Sequence, residues 1–127
     1  MSLAETPLTS IPFQTMDGTT QTLSDYADKV VLIVNVASRC GLTPQYETLE
    51  ALQQKYGERG FQVLGFPSNQ FLQELSSNEA IAEFCSTTYG VDFPLTAKTD
   101  VKGETAHPFY KWAKTALGDP AEPVWNF

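Results

Sequence analysis

The apolar residues of this chain fall into one continuous run and several helical stripes. Val30-Val31-Leu32-Ile33-Val34-Asn35-Val36-Ala37 is almost unbroken in aliphatic side chains and does not alternate with polar ones. A strand buried on both faces reads this way, so a parallel or central strand is expected. The loop Ser38-Arg39-Cys40-Gly41-Leu42-Thr43-Pro44 follows. Within it, Thr43 is the expected helix cap and Pro44 suits the first helical position. Tyr46, Leu49, Leu52 and Tyr56 recur at three- and four-residue spacing, which predicts a helix to about residue 59 with Gly60 as its stop. Phe61-Gln62-Val63-Leu64-Gly65-Phe66 reads as a second strand, ended by Pro67. Strand, helix and strand over this length predict a βαβ unit with parallel strands.

A second helix is expected over 78–89, with Ile81, Phe84, Cys85 and Tyr89 on one face and Gly90 as its stop. Phe93-Pro94-Leu95 reads as a short strand. A third helix is expected over 108–117, with Phe109, Trp112 and Ala113 inward, and Gly118-Asp119-Pro120 breaks it. Val124-Trp125-Asn126-Phe127 begins a further strand. Residues 1–12 read as an irregular lead-in interrupted by Pro7 and Pro12. Asp17-Gly18 between Phe13 and Leu23 predicts a small hairpin, after which Ser24 caps a short turn through Tyr26.

Composition narrows the function. At 127 residues with no repeat or linker-like stretch, residues 1–127 form one domain. Eight Lys and Arg against fifteen Asp and Glu give a net charge of −7, which argues against nucleic-acid binding and against an anionic membrane surface. No apolar stretch approaches the roughly 20 residues that span a bilayer. Met1-Ser2-Leu3-Ala4-Glu5 has neither the basic nor the apolar region of a secretory signal, so a cytoplasmic location is expected. Two cysteines and one histidine cannot complete a four-ligand Cys/His zinc site. Neither glycine-rich phosphate loop is present.

Sites in open α/β sheets lie beyond the carboxyl ends of the strands. Cys40 follows the first strand and Ser68-Asn69-Gln70-Phe71 follows the second, so both loops are expected at one edge. A helix N-terminus after Cys40 and the adjacent Arg39 both favour the reactive thiolate. Position alone leaves open a small structural cysteine. Cys40-Gly41-Leu42-Thr43 is not Cys-x-x-Cys, which argues against a dithiol disulfide reductase and for a single nucleophile. Cys85 shares a helical face with Ile81 and Phe84, as a packed core thiol would. His107 before Pro108 reads as a cap or packing residue, and Asp100, Glu104, Asp119 and Glu122 as solvated charge.

Asn35-Val36-Ala37-Ser38-Arg39-Cys40-Gly41-Leu42-Thr43-Pro44-Gln45-Tyr46 resembles the first signature of the glutathione peroxidase family. Gly65-Phe66-Pro67-Ser68-Asn69-Gln70-Phe71 resembles the second, and Trp125-Asn126-Phe127 the third. Phe93-Pro94 and the stretch from Ala106 to Tyr110 fit as well, so the resemblance runs from about Ile11 to the last residue. Three motifs in order are far more specific than one. The resemblance implies an α/β thioredoxin-like fold, a central sheet with a βαβ unit and flanking helices, and reduction of hydrogen peroxide and organic hydroperoxides. It puts Cys40 at the peroxidatic position, with Gln73, Trp125 and Asn126 donating N–H bonds toward the sulfur and the departing oxygen. The family usually reads Gly-Gly-Gln-Glu after Asn-Gln-Phe; here Leu72-Gln73-Glu74 is one residue short, and Gln70 is the fallback.

The stretch from Phe84-Cys85 to Phe93-Pro94 resembles the resolving segment of the two-Cys, non-selenium, thioredoxin-dependent members. The implied cycle is oxidation of Cys40 to a sulfenic acid, a Cys40–Cys85 disulfide after local unwinding of the second helix, and reduction by thioredoxin rather than glutathione. Ser68 stands where some relatives have Cys. No metal, haem, flavin or nucleotide is implied, and the short stretch between Gly118 and Val124 points to a monomer. A peroxide sensor or an inactive fragment is the alternative. Relatives continue past Trp-Asn-Phe with the rest of that strand, another strand and a closing helix. A C-terminally truncated form is therefore expected, missing that strand pair and helix. It would leave the 30–37 strand with an open edge, Trp125 and Asn126 poorly held, and the chain prone to aggregate.

Overall fold

The computed structural model describes residues 8–26 and 28–127. The lead-in expected over residues 1–12 lies outside the described residues as far as residue 7. Its remainder forms a 3₁₀ turn, Leu8–Ser10, followed by the buried Ile11. A hairpin of β1 (Phe13–Gln14) and β2 (Thr20–Gln21) closes on Gly18, whose φ of 85° is the left-handed value that the Asp-Gly turn requires. The 3₁₀ turn Leu23–Tyr26 comes next. Thr22 N–H donates to the Asp25 carboxylate there, so Asp25 helps to hold the turn.

The frame of the molecule is the parallel pair β3 (Val30–Val36) and β4 (Phe61–Pro67). Val30 lies opposite Phe61 and Val36 opposite Pro67. Between them runs α1 (Gln45–Tyr56), continued by a 3₁₀ turn to Arg59 and ended by Gly60 at φ 89°. Then come α2 (Asn78–Tyr89), capped by the Ser77 hydroxyl on Ala80 N–H and stopped at Gly90, and α3 (Pro108–Leu117). Among the described residues no helix is long and apolar enough to cross a membrane.

Alternation along the two strands divides the core into two layers. Val31, Ile33, Leu64 and Phe66 face a cluster built from Ile11, Phe13, Leu23, Val101 and the α3 residues Phe109 and Tyr110. Trp112 packs at its margin, so Tyr110 takes the inward place expected of Trp112 and Ala113. Phe66 meets the rings of Phe13, Phe109 and Tyr110 at 6.2, 5.5 and 5.4 Å. Such ring pairs add about 0.5–1.5 kcal/mol each beyond their buried area. On the opposite face, Val34, Val36 and Val63 pack against Tyr46 and Leu49 of α1 and Ile81 and Cys85 of α2.

Three sequence expectations change. The strand buried on both faces is β4, buried throughout after Phe61, and not β3, where Val30 is 71% and Leu32 37% exposed. β4 is flanked by β3 on one side and by an isolated bridge between Gly65 and Leu95 on the other, whereas among the described residues β3 has a strand only on its β4 side. Phe93-Pro94-Leu95 does not form a strand: Pro94 and Thr96 bond to the backbone of Gly65, and Leu95 to Met16, before the chain turns away. Val124-Trp125-Asn126-Phe127 is not a strand either; Phe127 N–H donating to Asn35 C=O at 2.8 Å is its one backbone bond to β3.

The open apolar edge of β3 is a template for pairing with another chain. Replacing Leu32 by Lys should lower concentration-dependent light scattering while changing unfolding free energy by no more than about 0.5 kcal/mol. No concentration-dependent scattering in the wild type, or unchanged scattering in Leu32→Lys, would show that this edge does not drive association.

Candidate active site

Parallel pairing delivers the loops after β3 and β4 to the same end of the sheet. Ser68 N–H donates across to Val36 C=O at 3.2 Å, which closes the strand pair where the loops begin.

In the first loop, the Thr43 hydroxyl does the organising. It donates to Ala37 C=O and accepts Cys40 N–H, both at 2.8 Å, and Thr43 is buried. Its side chain is therefore not free to cap α1, as the sequence suggests. The cap position falls to Pro44, with no side-chain bond, and the helix starts one residue later than expected. Cys40 sits within this clasp, 7% exposed, and Leu42 N–H points at its Sγ at 3.3 Å. Arg39 is exposed beside it.

The second loop carries Gln70, Gln73 and Glu74. Gln70 is fully committed: its Oε1 accepts Val101 N–H (2.6 Å) and Lys102 N–H (2.8 Å), and its Nε2 donates to Lys102 C=O (2.9 Å). It staples the segment before α3 and is not available to a reacting sulfur. Gln73 C=O accepts Arg39 N–H at 2.8 Å, next to Cys40. Gln73 Oε1 accepts from Asn126 Nδ2 at 3.3 Å. Leu72, between them, adopts φ 60° with its side chain 86% exposed. A left-handed leucine is strained by about 1–2 kcal/mol, and it occurs where the resemblance has glycines.

Asn126 is buried, and its Oδ1 has no hydrogen-bond partner. Trp125 is half-exposed. Its ring lies 5.5 Å from that of Phe71 and its C=O accepts from Asn35 Nδ2 at 2.9 Å. Asn35 thus holds the tail at two points, through its amide and its carbonyl. A cleft of about 490 Å³ opens between Asn35, Leu42, Trp125 and Asn126. The structure therefore brings Gln73 and Asn126 together beside the Cys40 loop, with Trp125 on the cleft wall.

Cys85 belongs to a different environment. It is buried in α2 and, like Cys40, forms no disulfide. Burial pushes its thiol up to about 11; the Tyr46 hydroxyl beside it opposes that rise and the Glu74 carboxylate adds to it. The same hydroxyl closes no well-formed hydrogen bond. His107 caps α3, its Nδ1 accepting Phe109 N–H at 3.1 Å, and burial holds it neutral by lowering its pKa. Asp119 and Glu122 face Lys114 at the surface, at 4.0 and 3.4 Å.

Sequence reasoning gave no role to Thr43 beyond capping, to Asn35, or to Glu74. Asn35 carried a signal, as the one polar residue in an apolar strand. Thr43 carried none, because the same residue type serves equally well as a helix cap.

Comparison with known proteins gives a consistent picture. A family model described as glutathione peroxidase matches residues 8–114. The chain is 49% identical over 115 residues to the glutathione peroxidase homolog BsaA of Halalkalibacterium halodurans, an alignment that covers 88% of this chain and 73% of the relative. It is 57% identical over 97 residues to the thioredoxin/glutathione peroxidase BtuE of Escherichia coli, covering 76% of this chain and 53% of BtuE. Among solved structures, that described as Trgpx in apo form superposes with a TM-score of 0.72 at 36% identity, covering 96% of this chain and 74% of that one. A thioredoxin-family thiol:disulfide interchange protein from Chlorobium tepidum, at 20% identity and TM-score 0.59 over 74% of this chain and 61% of its own, shares the fold.

Two outcomes follow from the geometry. Thr43→Val leaves Cys40 N–H and Ala37 C=O buried without their partner. It should cost about 1–3 kcal/mol in urea unfolding, and no measurable loss would mean that the clasp holds nothing. In the folded, reduced protein, iodoacetamide should modify Cys85 far more slowly than Cys40, accelerating only toward pH 11 or on unfolding. Peptide mass spectrometry reads both sites, and equal labelling at pH 7 would contradict the buried, protonated thiol.

Proposed function

The chain belongs to the glutathione peroxidase family, and on that footing we propose that it is a two-Cys thiol peroxidase that reduces hydrogen peroxide and organic hydroperoxides. The observation that carries this reading is the Cys40 loop. There a backbone N–H is aimed at the sulfur, and a hydrogen-bonded Gln73–Asn126 pair is tied to the same loop through Arg39 N–H.

In the proposed first half-reaction the Cys40 thiolate attacks one oxygen of R–O–O–H. An S–O bond forms as the O–O bond breaks, and the departing alkoxide takes up a proton and leaves as alcohol, or as water from hydrogen peroxide. Cys40 ends as the sulfenic acid. Side-chain N–H groups of Gln73, Trp125 and Asn126 supply hydrogen bonds where negative charge develops on the departing oxygen. In the second half-reaction Cys85, losing its proton, attacks the sulfenic sulfur. The S–S bond forms, the S–O bond breaks, and the hydroxyl leaves with a proton as water. A thiol that burial raises to about 11 does not do this from inside the core. The reading therefore includes local opening of α2 to release Cys85. An external dithiol then reduces the disulfide by exchange. Thioredoxin is favoured over glutathione by the presence of a second cysteine; the basic side chains near the site are Arg39 and Lys102, whose ammonium lies 4.7 Å from the Phe71 ring. The name of the relative BtuE includes both reductants. A cytoplasmic monomer without metal or organic cofactor completes the proposal.

The test is a coupled assay with peroxide, thioredoxin, thioredoxin reductase and NADPH. Cys40→Ser should abolish turnover, and its survival would remove the peroxidatic assignment. Cys85→Ser should abolish thioredoxin-driven turnover while Cys40 is still oxidised once per chain. Full turnover in Cys85→Ser would remove the resolving role alone. A wild-type chain that oxidises stoichiometrically but never turns over would be a peroxide sensor.

A further inference from the structure

Glu74 is a buried carboxyl group to which the proposed cycle gives no task. Its residue is 8% exposed, and burial pushes its pKa up from the usual carboxylate range, with the Ser38 and Leu75 contacts and Lys98 opposing. A buried carboxylate is costly to keep unless it is well paired. Here one oxygen is used twice: Glu74 Oε1 accepts Ser38 N–H at 3.0 Å and Leu75 N–H at 2.8 Å. Oε2 closes no hydrogen bond of good geometry, although the Ser38 hydroxyl lies beside the carboxylate.

The placement of those bonds matters. Ser38 is two residues before Cys40, and Arg39 between them donates its N–H to Gln73 C=O at 2.8 Å. Two consecutive N–H groups of the Cys40 loop are therefore held by two consecutive residues of the opposite loop. That opposite loop is itself closed by Asn69, whose Oδ1 accepts Glu74 N–H at 3.1 Å and whose C=O accepts Leu72 N–H at 2.9 Å. Residues 38–39 thus form a short ladder with residues 73–74, and Glu74 side-chain Oε1 takes the rung that a strand carbonyl would take.

We propose that Glu74 is a positioning residue for the proposed peroxidatic site: its Oε1 clamps Ser38 N–H so that Cys40 and Gln73 are held in fixed relation. The inference rests on Cys40 as the reacting thiol, but the clamp itself is independent of that chemistry. Glu74 touches no reacting atom. What it supplies is an acceptor at a fixed place, and a carboxamide carries the same acceptor. Positioning errors of about 1 Å at a reacting centre slow reactions by as much as 10²-fold.

The experiment compares Glu74→Gln, Glu74→Leu and Asn69→Ala with wild type, each checked for cooperative urea unfolding. Asn69 is exposed, so that variant folds even where Glu74→Leu does not. Two quantities are read: the rate of Cys40 oxidation by hydrogen peroxide in a single turnover, and amide hydrogen exchange at Ser38 and Arg39. Glu74→Gln should stay within about threefold of wild type in both, because its carbonyl oxygen replaces Oε1. Glu74→Leu should oxidise about tenfold more slowly or worse and exchange Ser38 about tenfold faster. Asn69→Ala should fall between. Glu74→Gln behaving like Glu74→Leu would overturn the clamp, as would wild-type exchange in Glu74→Leu and Asn69→Ala together. A wild-type Cys40 inert to peroxide would instead defeat the peroxidase reading, and the exchange rates at Ser38 would still decide the clamp.

Discussion

The parallel pairing of β3 with β4, Val30 opposite Phe61 through Val36 opposite Pro67, is the constraint on which the site depends. Two strands running the same way must end at the same edge, and the chain segments that leave them must share whatever space lies beyond. That space is where the Cys40 loop meets the Asn69–Glu74 loop. Ser68 N–H on Val36 C=O, Arg39 N–H on Gln73 C=O and Ser38 N–H on Glu74 Oε1 continue the pairing beyond the last true rung of the sheet. A buried backbone N–H left without a partner costs on the order of 1–3 kcal/mol, so these bonds leave the first loop little freedom. The site is an extension of the sheet and inherits its rigidity.

The same sheet gives the two thiols opposite environments. Cys40 lies at the strand end, within a clasp made by one threonine hydroxyl, with a backbone donor on its sulfur. Cys85 lies in the layer between β4 and the helices, where burial pushes the thiol up to about 11. Both thiols are buried, but only Cys85 is enclosed within the hydrophobic layer. A cycle using both thiols needs an opening step in α2, and α2 is a helix whose last turn carries exposed Ser86, Thr87 and Thr88. Tyr89 anchors that turn against Tyr46 and Phe84, so such an opening has to release those ring contacts as well as Cys85.

The tail shows what an incomplete pairing does. Phe127 places its ring edge-on against Tyr46 at 5.2 Å, and Asn35 holds the backbone at Trp125 and Phe127. Those contacts bury Asn126 beside Gln73 but leave Trp125 half-exposed and the outer edge of β3 open at Val30 and Leu32. One polar residue in an apolar strand is therefore the anchor of the third motif.

Much of this was legible in the amino-acid order. The apolar run, the 3–4 spacing from Tyr46 to Tyr56, the Gly90 stop of α2 and the Asp-Gly hairpin are local signals, and each of these elements formed at or within a few residues of its expected place. Cys40, Gln73 and Asn126 were nominated by their motifs, and the fold brought their loops together. Two differences have a long-range cause: that β3 would be half-exposed and β4 buried after Phe61, and that the fallback Gln70 would be spent on residues 101–102, are facts about partners distant in sequence. Thr43 differs, because its partners Ala37 and Cys40 are local and a threonine before a helix serves a loop or a cap equally well. Hydrophobic period and propensity report what a segment can do alone, so the sequence by itself determined the elements, their order and the candidate thiol. Which hydrogen-bonding groups would find each other depended on strand pairing across thirty or more residues, and only the tertiary structure decided that.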